Sequence, residues 1–512
     1  MTARRKIALT VLVLLAVLAL VLIVVIPRLA DLDRYRPQVI ARIEEGTGRS
    51  VEIGRLSLRV LPALSVRADS VAIGNPPGFP PGHFLEIQRV YAELDPGALL
   101  HREIAIRSLK LEGPIVRLIS NSQGHWNTES PERPRAALRP TAWRAAAAPS
   151  ILITTVEVED GRAMVASTVD SEPLGPPSLE ADGVSAKLQD VNPDALGVHL
   201  FTAGSAWTGG PRGNHRGRAK RPVLLKTAWR RSAEIELPRV EDVAVSEIVG
   251  PGGPLAAHGT LSAKSVRFGA IQAAGVRCGL ELYSGGVLVD GLVLQLFGGQ
   301  ITGNLVWDTA SRPRRYTTHL SLSGIDVARA LMAFPSAGGK LTGTLEGQID
   351  LTGWSSLDNA RGASGDPLDN KQGRGQVTVR SGTLPGIRLN RDLMALIKNV
   401  IRSGSASADP SVFSSMSADL EIAEGQIRSR QISILGNGID LDASGTLALG
   451  GAGRLNYQGV AKISARQNAV GNLVAGLLGS KMSAGGQISF PFTLTGTLVA
   501  PHFDAPRSPI LH

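Results

Sequence analysis

The sequence has a single cysteine, few aromatic residues and no familiar catalytic motif. Because Cys278 is the only cysteine, no disulfide can form within the chain, and the fold must rest on burial and hydrogen bonding. Aromatic residues make up only 4% of the chain, whereas glycine occurs 58 times in 512 positions. This composition favours strands and turns over helix bundles, so we expect a mainly β protein.

No residue pattern points to catalysis. The chain lacks H-E-x-x-H, G-x-S-x-G and paired metal-ligand motifs, and its nine histidines are scattered singly. Neither Gly338–Lys340 nor Gly479–Lys481 completes a phosphate-binding loop, because neither ends in Lys-Ser or Lys-Thr. Asp440 and Asp442 could imitate an acid pair, but a solvated strand face is the better interpretation. We therefore expect a protein that is not an enzyme and has no catalytic residue, cofactor or metal.

The net charge of +10 comes from two short segments. The segment Arg4–Lys6 contributes 3 positive charges and the acid-free stretch Arg212–Arg231 contributes 8, which leaves −1 for the rest of the chain. The basic stretch could be a solvated loop, a site for anionic lipid head groups or a nucleic-acid site. Prolines and glycines within it argue against a fixed binding helix, and we expect no nucleic-acid partner.

The longest apolar run, Ile7–Ile26, contains one polar residue, Thr10. As a helix it would be roughly 30 Å long, which matches the hydrocarbon core of a bilayer and predicts a transmembrane anchor. Because Arg4–Lys6 precede it without an acid, the amino terminus should face the cytoplasm and the remaining chain should lie across the membrane. The alternative is a cleaved signal peptide, whose apolar core is shorter and ends in small residues, unlike Arg28 and Leu29.

In three stretches every second residue is apolar or glycine and nearly all of the intervening residues are polar, namely Leu341–Gly353, Ile439–Leu449 and Ile488–Leu498. Such alternation predicts strands with one dry and one wet face. Thirteen residues would span about 43 Å, twice an ordinary strand. The apolar positions on these strands are the candidate lining residues of a groove: Leu341, Leu345, Ile349, Leu351, Ile439, Leu441, Leu447, Leu449, Ile488, Phe490, Phe492, Leu494 and Leu498.

Three amphipathic segments, Asp326–Phe334, Asn390–Ile401 and Gln467–Leu478, predict short helices of roughly 14 to 18 Å. They are too short to cover strands of about 40 Å. Either two sheets pack face to face, or one sheet curls and leaves an apolar channel, and the residue pattern leaves both open. Glycine within the strands would help a sheet twist and curl.

A Gly-Thr/Asn-Leu triplet recurs with a spacing of 39 to 63 residues. It indicates either a repeated strand-and-turn unit or simply a tripeptide that is common in strands. The triplets begin at Gly259, Gly303, Gly343, Gly382, Gly445 and Gly496.

An ordered set of short motifs follows the apolar run. They are Tyr35-x-Pro37, T-G-R at Thr47–Arg49, V-E-I-G at Val51–Gly54, N-P-P-G at Asn75–Gly78, Leu99–Leu100, the stretch Ile104–Leu118, and a turn with Gly124, Trp126 and Asn127. In this order they resemble the amino-terminal region of the AsmA family of Gram-negative envelope proteins. The turn departs from the family's G-x-N-W order. Ser284–Asp308 and the carboxy-terminal segment from Gly485 to Pro506 also resemble AsmA-type proteins.

The resemblance implies an inner-membrane protein with a periplasmic body, and it favours the channel over the sandwich, since AsmA-type proteins belong to a group thought to carry lipid in β-grooves. The implied function is envelope biogenesis, with membrane phospholipid held or conveyed toward the outer membrane. A structural assembly factor that affects outer-membrane protein insertion is the alternative, and a hydrolase with an unrecognised site is a third. An envelope protein partner or an oligomer could extend a groove too short to cross the periplasm.

The predicted fold is a transmembrane helix followed by an elongated, curled, mostly antiparallel β-sheet groove with a few short amphipathic helices. The expected regions are a cytoplasmic tail (1–6), the anchor (7–26), an amino-terminal AsmA-like region (27–130), a Pro/Ala/Arg linker (131–150), a β region with a basic loop at 205–232 (151–256) and a carboxy-terminal AsmA-like region (257–505).

Overall fold

The structure is a computed structural model. It describes residues 32–59, 63–100, 105–121, 126–128, 152–169, 172–173, 177–192, 251–311, 314–333, 341–354, 371–383, 412–436, 439–448, 453–464, 487–497 and 500–504. The predicted anchor, the linker, the basic stretch and two predicted helices, Asn390–Ile401 and Gln467–Leu478, lie outside these residues. Among the helices within them, none is long and apolar enough to cross a membrane.

The described residues form strands connected by turns and a few short helices. After a 3-10 turn at Leu32–Tyr35, the helices are α1 (Arg36–Thr47), α2 (Pro96–Leu100) and α3 (Val327–Met332). The strands are β1 (Val51–Arg59), β2 (Ser65–Gly74), β3 (His83–Leu94), β4 (Ala105–Glu112), β5 (Ile115–Ser120), β6 (Leu152–Val169), β7 (Glu172–Pro173), β8 (Leu179–Val191), β9 (Leu255–Phe268), β10 (Ile271–Tyr283), β11 (Gly286–Leu296), β12 (Gly299–Asp308), β13 (Arg315–Asp326), β14 (Thr344–Trp354), β15 (Lys371–Thr383), β16 (Val412–Ala423), β17 (Gln426–Gly436), β18 (Ile439–Ala448), β19 (Arg454–Ser464), β20 (Gln487–Thr497) and β21 (Pro501–Asp504).

One continuous sheet contains all these strands except β7, which pairs only with the last two residues of β6. From β8 onward each strand pairs antiparallel with the next strand in the chain, so the ladder runs unbroken to β21. The prediction of a mainly β, mostly antiparallel fold is confirmed. The alternative of two separate sheets is wrong for the described residues, because no break divides this ladder.

The one parallel region lies near the amino end. Strands β4 and β5 both pair antiparallel with β3 and parallel with β6. Together β4 and β5 occupy one strand position between β3 and β6. They are interrupted at Gly113, which adopts a left-handed φ of 60°, and at Pro114, which has no N–H. Across this break the Gly113 N–H donates to the Glu159 carbonyl and the Arg162 N–H to the Pro114 carbonyl.

Inserted residues bend several strands in mid-length. Asp160, Gly183, Gly275, Gly291 and Gly324 have φ values of 51° to 69°, and the pairing register shifts beside them. Such bulges bend a strand and increase its right-handed twist, which adds to the usual rotation of about 20 to 25° between neighbours. The predicted curl of this sheet into a groove stays a prediction.

Helix α1 packs against the first strand. Ile40 and Ile43 contact a buried cluster on β1 that includes Val51 and Ile53. The helix ends at Thr47 because Gly48 takes a left-handed φ of 67° and donates its N–H to the Glu44 carbonyl.

Candidate functional site: the apolar face of the sheet

Directly opposed residues on neighbouring strands share one face of the sheet, so the register traces each face from strand to strand. The face that carries Leu345, Ile349 and Leu351 of β14 is called the apolar face. The opposite face, with Glu346, Gln348 and Asp350, is the polar face. This assignment agrees with the alternation in the sequence, although β14 begins at Thr344 rather than at Leu341.

One row of the apolar face crosses nineteen strands, from β1 to β21. Each member is the direct partner of the next: Leu58, Val66, Ala92, Leu109, Val156, Leu188, Gly259, Leu280, Val289, Leu305, Thr318, Leu351, Gly373, Ile422, Ile427, Leu447, Leu455, Gly496 and Pro501. Thr318 is its one polar member, and its hydroxyl donates to the Asn304 carbonyl at 2.8 Å. At roughly 4.8 Å per strand the row is about 86 Å long along its path.

Most residues of this row are half-buried rather than buried. In a closed core, a second layer of the protein would pack over this face and bury these side chains. Here, over the described part of the chain, the half-buried state leaves apolar surface that a further apolar molecule could contact.

A second row follows the end of the sheet where α3 begins. It consists of Ile325, Leu345, Val379, Met416, Ile434, Leu441, Ala461 and Phe490. Here Val327 and Leu331 of α3 pack onto Val379 and Phe413, which are only 3% and 2% exposed. This cluster closes one border of the apolar face.

The sequence-predicted groove residues thus fall into three groups. Leu341 and Leu345 pack within the α3 cluster. Ile488, Phe490 and Phe492 are at most 4% exposed, and Phe492 stacks on Phe503 at 4.9 Å. Leu341 and Leu345 are themselves half-buried, and the half-buried residues outside the α3 cluster are Ile349, Leu351, Leu441, Leu447 and Leu494. Ile439 belongs to β18, but its side chain lies outside the described residues, as do Leu449 and Leu498.

Sequence reasoning missed the contribution of β16 and β17 to this face. Ile422 and Ile427 are direct partners within the long row, and Ile432 follows after a register shift between Ser429 and Ile432. Because one inserted residue reverses the face of every later side chain, strict alternation breaks down along β17. Two half-length alternating runs separated by one residue are the signal that could have revealed it.

The recurring glycines are positions of close approach between strands. At Gly259, Gly303 and Gly445 an added Cβ would lie 1.8 to 2.2 Å from a carbonyl oxygen of the adjacent strand. In Gly445 that oxygen belongs to Asn456, at 2.2 Å. At Gly343, Gly382 and Gly496 the nearest atom would lie within 2.6 Å. All six triplet glycines therefore occupy sites without room for a side chain, but Gly347 and Gly459 outside the triplets do so too, and the repeated unit stays a prediction.

The polar face carries acids paired with bases. Asp350 hydrogen-bonds His319 and Arg374, and although partial burial raises the pKa of Asp350, these bonds outweigh it and lower the pKa overall. Hydrogen bonds from Lys462, at 2.8 Å, and from Ser433 lower the pKa of Asp442. Asp442 is therefore an ion-paired surface carboxylate and not one half of an acid pair.

Tyr283 on the same face has a strongly raised pKa. The Tyr283 hydroxyl donates to the Glu281 carboxylate at 2.6 Å, and this bond, together with burial, raises the pKa of Tyr283 to about 12. Within the described residues no group of three or more His, Cys, Asp or Glu side chains could hold a metal ion.

Two of the recognised motifs meet at a buried amide. Asn127 is fully buried, and its Nδ2 donates to Asn75 Oδ1 at 2.9 Å and to the Arg117 carbonyl at 2.8 Å. Its Oδ1 accepts the Ile119 N–H at 2.9 Å. The N-P-P-G turn and the W-N turn are thus joined by one satisfied amide, which indicates a structural role for both motifs.

Comparison with known proteins agrees with these motifs. The sequence model of the AsmA family matches residues 1–166. Over this segment the chain is similar to the AsmA family. The matched AsmA segment holds α1, β1 to β5 and most of β6, together with the Asn75–Asn127 contact.

The AsmA family protein YhjG of Escherichia coli (strain K12) is 28% identical over 147 residues. This match covers 27% of the chain and 20% of YhjG, so the chain spans one fifth of the length of that AsmA relative. No solved structure matches the chain. The AsmA-like character proposed for Ser284–Asp308 and for the carboxy-terminal end lies outside the matched residues and stays a prediction.

Proposed function

We propose that this protein is anchored in the bacterial inner membrane and holds or conveys phospholipid toward the outer membrane on its apolar face, as part of envelope biogenesis. The observation that carries the proposal is the continuous row from Leu58 to Pro501, in which Thr318 is the one polar member and most residues are half-buried. A function without catalysis is part of the same proposal.

Acyl chains are a chemically suitable occupant of this face. Each methylene group that moves from water onto an apolar surface contributes about 0.8 kcal/mol. A surface that is a few side chains wide and about 86 Å long can cover several acyl chains in succession. The ion-paired polar face stays hydrated, so lipid would be held on one face only.

The proposed location rests on the apolar run Ile7–Ile26 and the basic residues Arg4–Lys6 that precede it. With the amino terminus in the cytoplasm, the sheet would lie in the periplasm, between the two membranes. The similarity of residues 1–166 to the AsmA family fits an envelope-related role.

A second candidate function is a non-transporting assembly factor that affects outer-membrane protein insertion. The observation that favours it is the closed carboxy-terminal end of the apolar face, where Ile488 and Phe490 are 0% and 2% exposed. A face closed along its whole length would act as a scaffold and carry no lipid.

A pair of neighbouring substitutions tests the first proposal. Leu351→Asp places a charge in the long apolar row, whereas Thr352→Asp places the same charge one residue away on the polar face. We expect phospholipid extracted from the purified protein to fall at least several-fold for Leu351→Asp and to stay at the parent level for Thr352→Asp. Equal lipid content in both variants, or no phospholipid in the parent protein, would refute the proposal.

A further inference from the structure

An open sheet has two edges, and each edge presents backbone N–H and C=O groups that could pair with another strand. Among the residues that the structure describes, the edges are β1 at the amino end and β20 with β21 at the carboxy end. Each edge has its own protection against pairing.

Side chains from the preceding turn and from α1 occupy the β1 edge. Asp33 Oδ1 accepts the Leu56 N–H at 3.1 Å, and Glu44 Oε1 accepts the Val51 N–H at 3.0 Å. The guanidinium of Arg36 donates to the Gly54 carbonyl. Backbone groups along the edge are thereby bonded to side chains of the same chain, where an incoming strand would need them.

The carboxy-terminal edge contains two prolines, Pro491 and Pro501, each of which lacks a backbone N–H. The Thr497 N–H donates to the Ala500 carbonyl, so the backbone groups of Thr497 face β21. Since this direction repeats every second residue, Thr495 and Thr493 also face β21, and Pro491 faces the same side just beyond its end. The uninterrupted ladder between β19 and β20 agrees, because it requires no N–H from Pro491.

The same alternation places Pro501. Ala500 faces β20, so Pro501, its neighbour, directs its nitrogen away from β20 and toward the outer edge of β21. Both prolines thus lack an N–H at the position where a further strand would need a donor. Proline in a sheet is confined to edge strands, first positions of strands and bulges; Pro491 lies within an edge strand and Pro501 is the first residue of one.

We propose that Pro491 and Pro501, with the side-chain bonds along β1, close both edges of this sheet to strand addition. A second copy of the chain therefore does not join its sheet edge to edge with the first. This inference does not depend on lipid binding. If a partner or a second copy binds, we expect it to contact a face of the sheet or the strand ends.

The test uses the full chain in detergent and compares the parent with Pro491→Thr/Pro501→Thr. We expect the parent to show no contact between β20 edges, and the double variant to form dimers whose mass is twice that of the parent in light scattering. The matched control, Pro77→Thr/Pro177→Thr, replaces two exposed prolines outside the strands and should keep the parent's mass.

A cross-linking arm decides the case even if the double variant folds poorly. Ser489→Cys in a Cys278→Ala background places the sole thiol on β20, two residues before Pro491. A short bismaleimide should join two copies of the double variant and none of the parent. Cross-linked parent protein would overturn the proposal, and so would a folded double variant that stays uncrosslinked at the parent's mass.

Discussion

Leu345→Asp should unfold the protein rather than simply remove lipid. Leu345 points to the apolar face, but it packs within the α3 cluster beside Val379 and Phe413, which are 3% and 2% exposed. Leu345 is half-buried against this cluster, so an aspartate there would lie among apolar side chains without a partner, and we expect the free energy of unfolding to fall by about 3 kcal/mol or more. Its neighbour Thr344 is exposed, so Thr344→Asp should change that free energy by less than about 0.5 kcal/mol.

Thermal or urea unfolding of the purified full chain in detergent measures this difference, with phospholipid quantified in the same samples. Leu351→Asp is the informative companion, because Leu351 is half-buried in the long apolar row and its variant should remain folded. If Leu345→Asp unfolds like the parent and has lost its phospholipid, Leu345 lines an open groove and the packing argument is wrong.

Three further predictions concern fold and titration. Asn127→Ala should lower the free energy of unfolding by about 2 to 3 kcal/mol, because buried groups lose their hydrogen bonds, while the exposed Thr128→Ala should have little effect. Gly445→Ala should destabilise by more than about 1 kcal/mol in urea unfolding, whereas Gly252→Ala, with open space around it, should be tolerated. Since the pKa of Tyr283 is raised to about 12, its stabilising effect is complete below its unfolded pKa near 10 and is lost as pH rises through 12, so Tyr283→Phe should reduce the alkaline loss of stability.

The sequence predicted strand faces and a helix correctly where no bulge interrupts the alternation. Alternation placed Leu345, Ile349 and Leu351 on one face, and α3 formed within the predicted segment Asp326–Phe334. Asp326 is its N-cap and accepts the Arg329 N–H, which is a signal carried by the sequence itself.

The burial of individual side chains and the order in which the strands pair could not be predicted from the sequence. Leu345 and Leu351 are both half-buried, but only Leu345 packs against the buried α3 cluster, and the sequence pattern does not distinguish the two positions. The parallel pairing of β4 with β6 joins segments that are about forty residues apart in sequence, and no local pattern specifies such a contact. The bulges within β13 and β17 likewise hid part of the apolar face, because each reverses the alternation.

The most direct test of the central claim is photo-cross-linking to phospholipid in living cells from two distant points of the apolar row. Leu109 on β4 and Leu447 on β18 both belong to it, and Lys110 and Thr446 are their neighbours on the polar face. The account predicts phospholipid adducts, identified by mass spectrometry, from a photoreactive residue at either leucine position and none from the neighbouring positions. Adducts from all four positions, or from none, would contradict it.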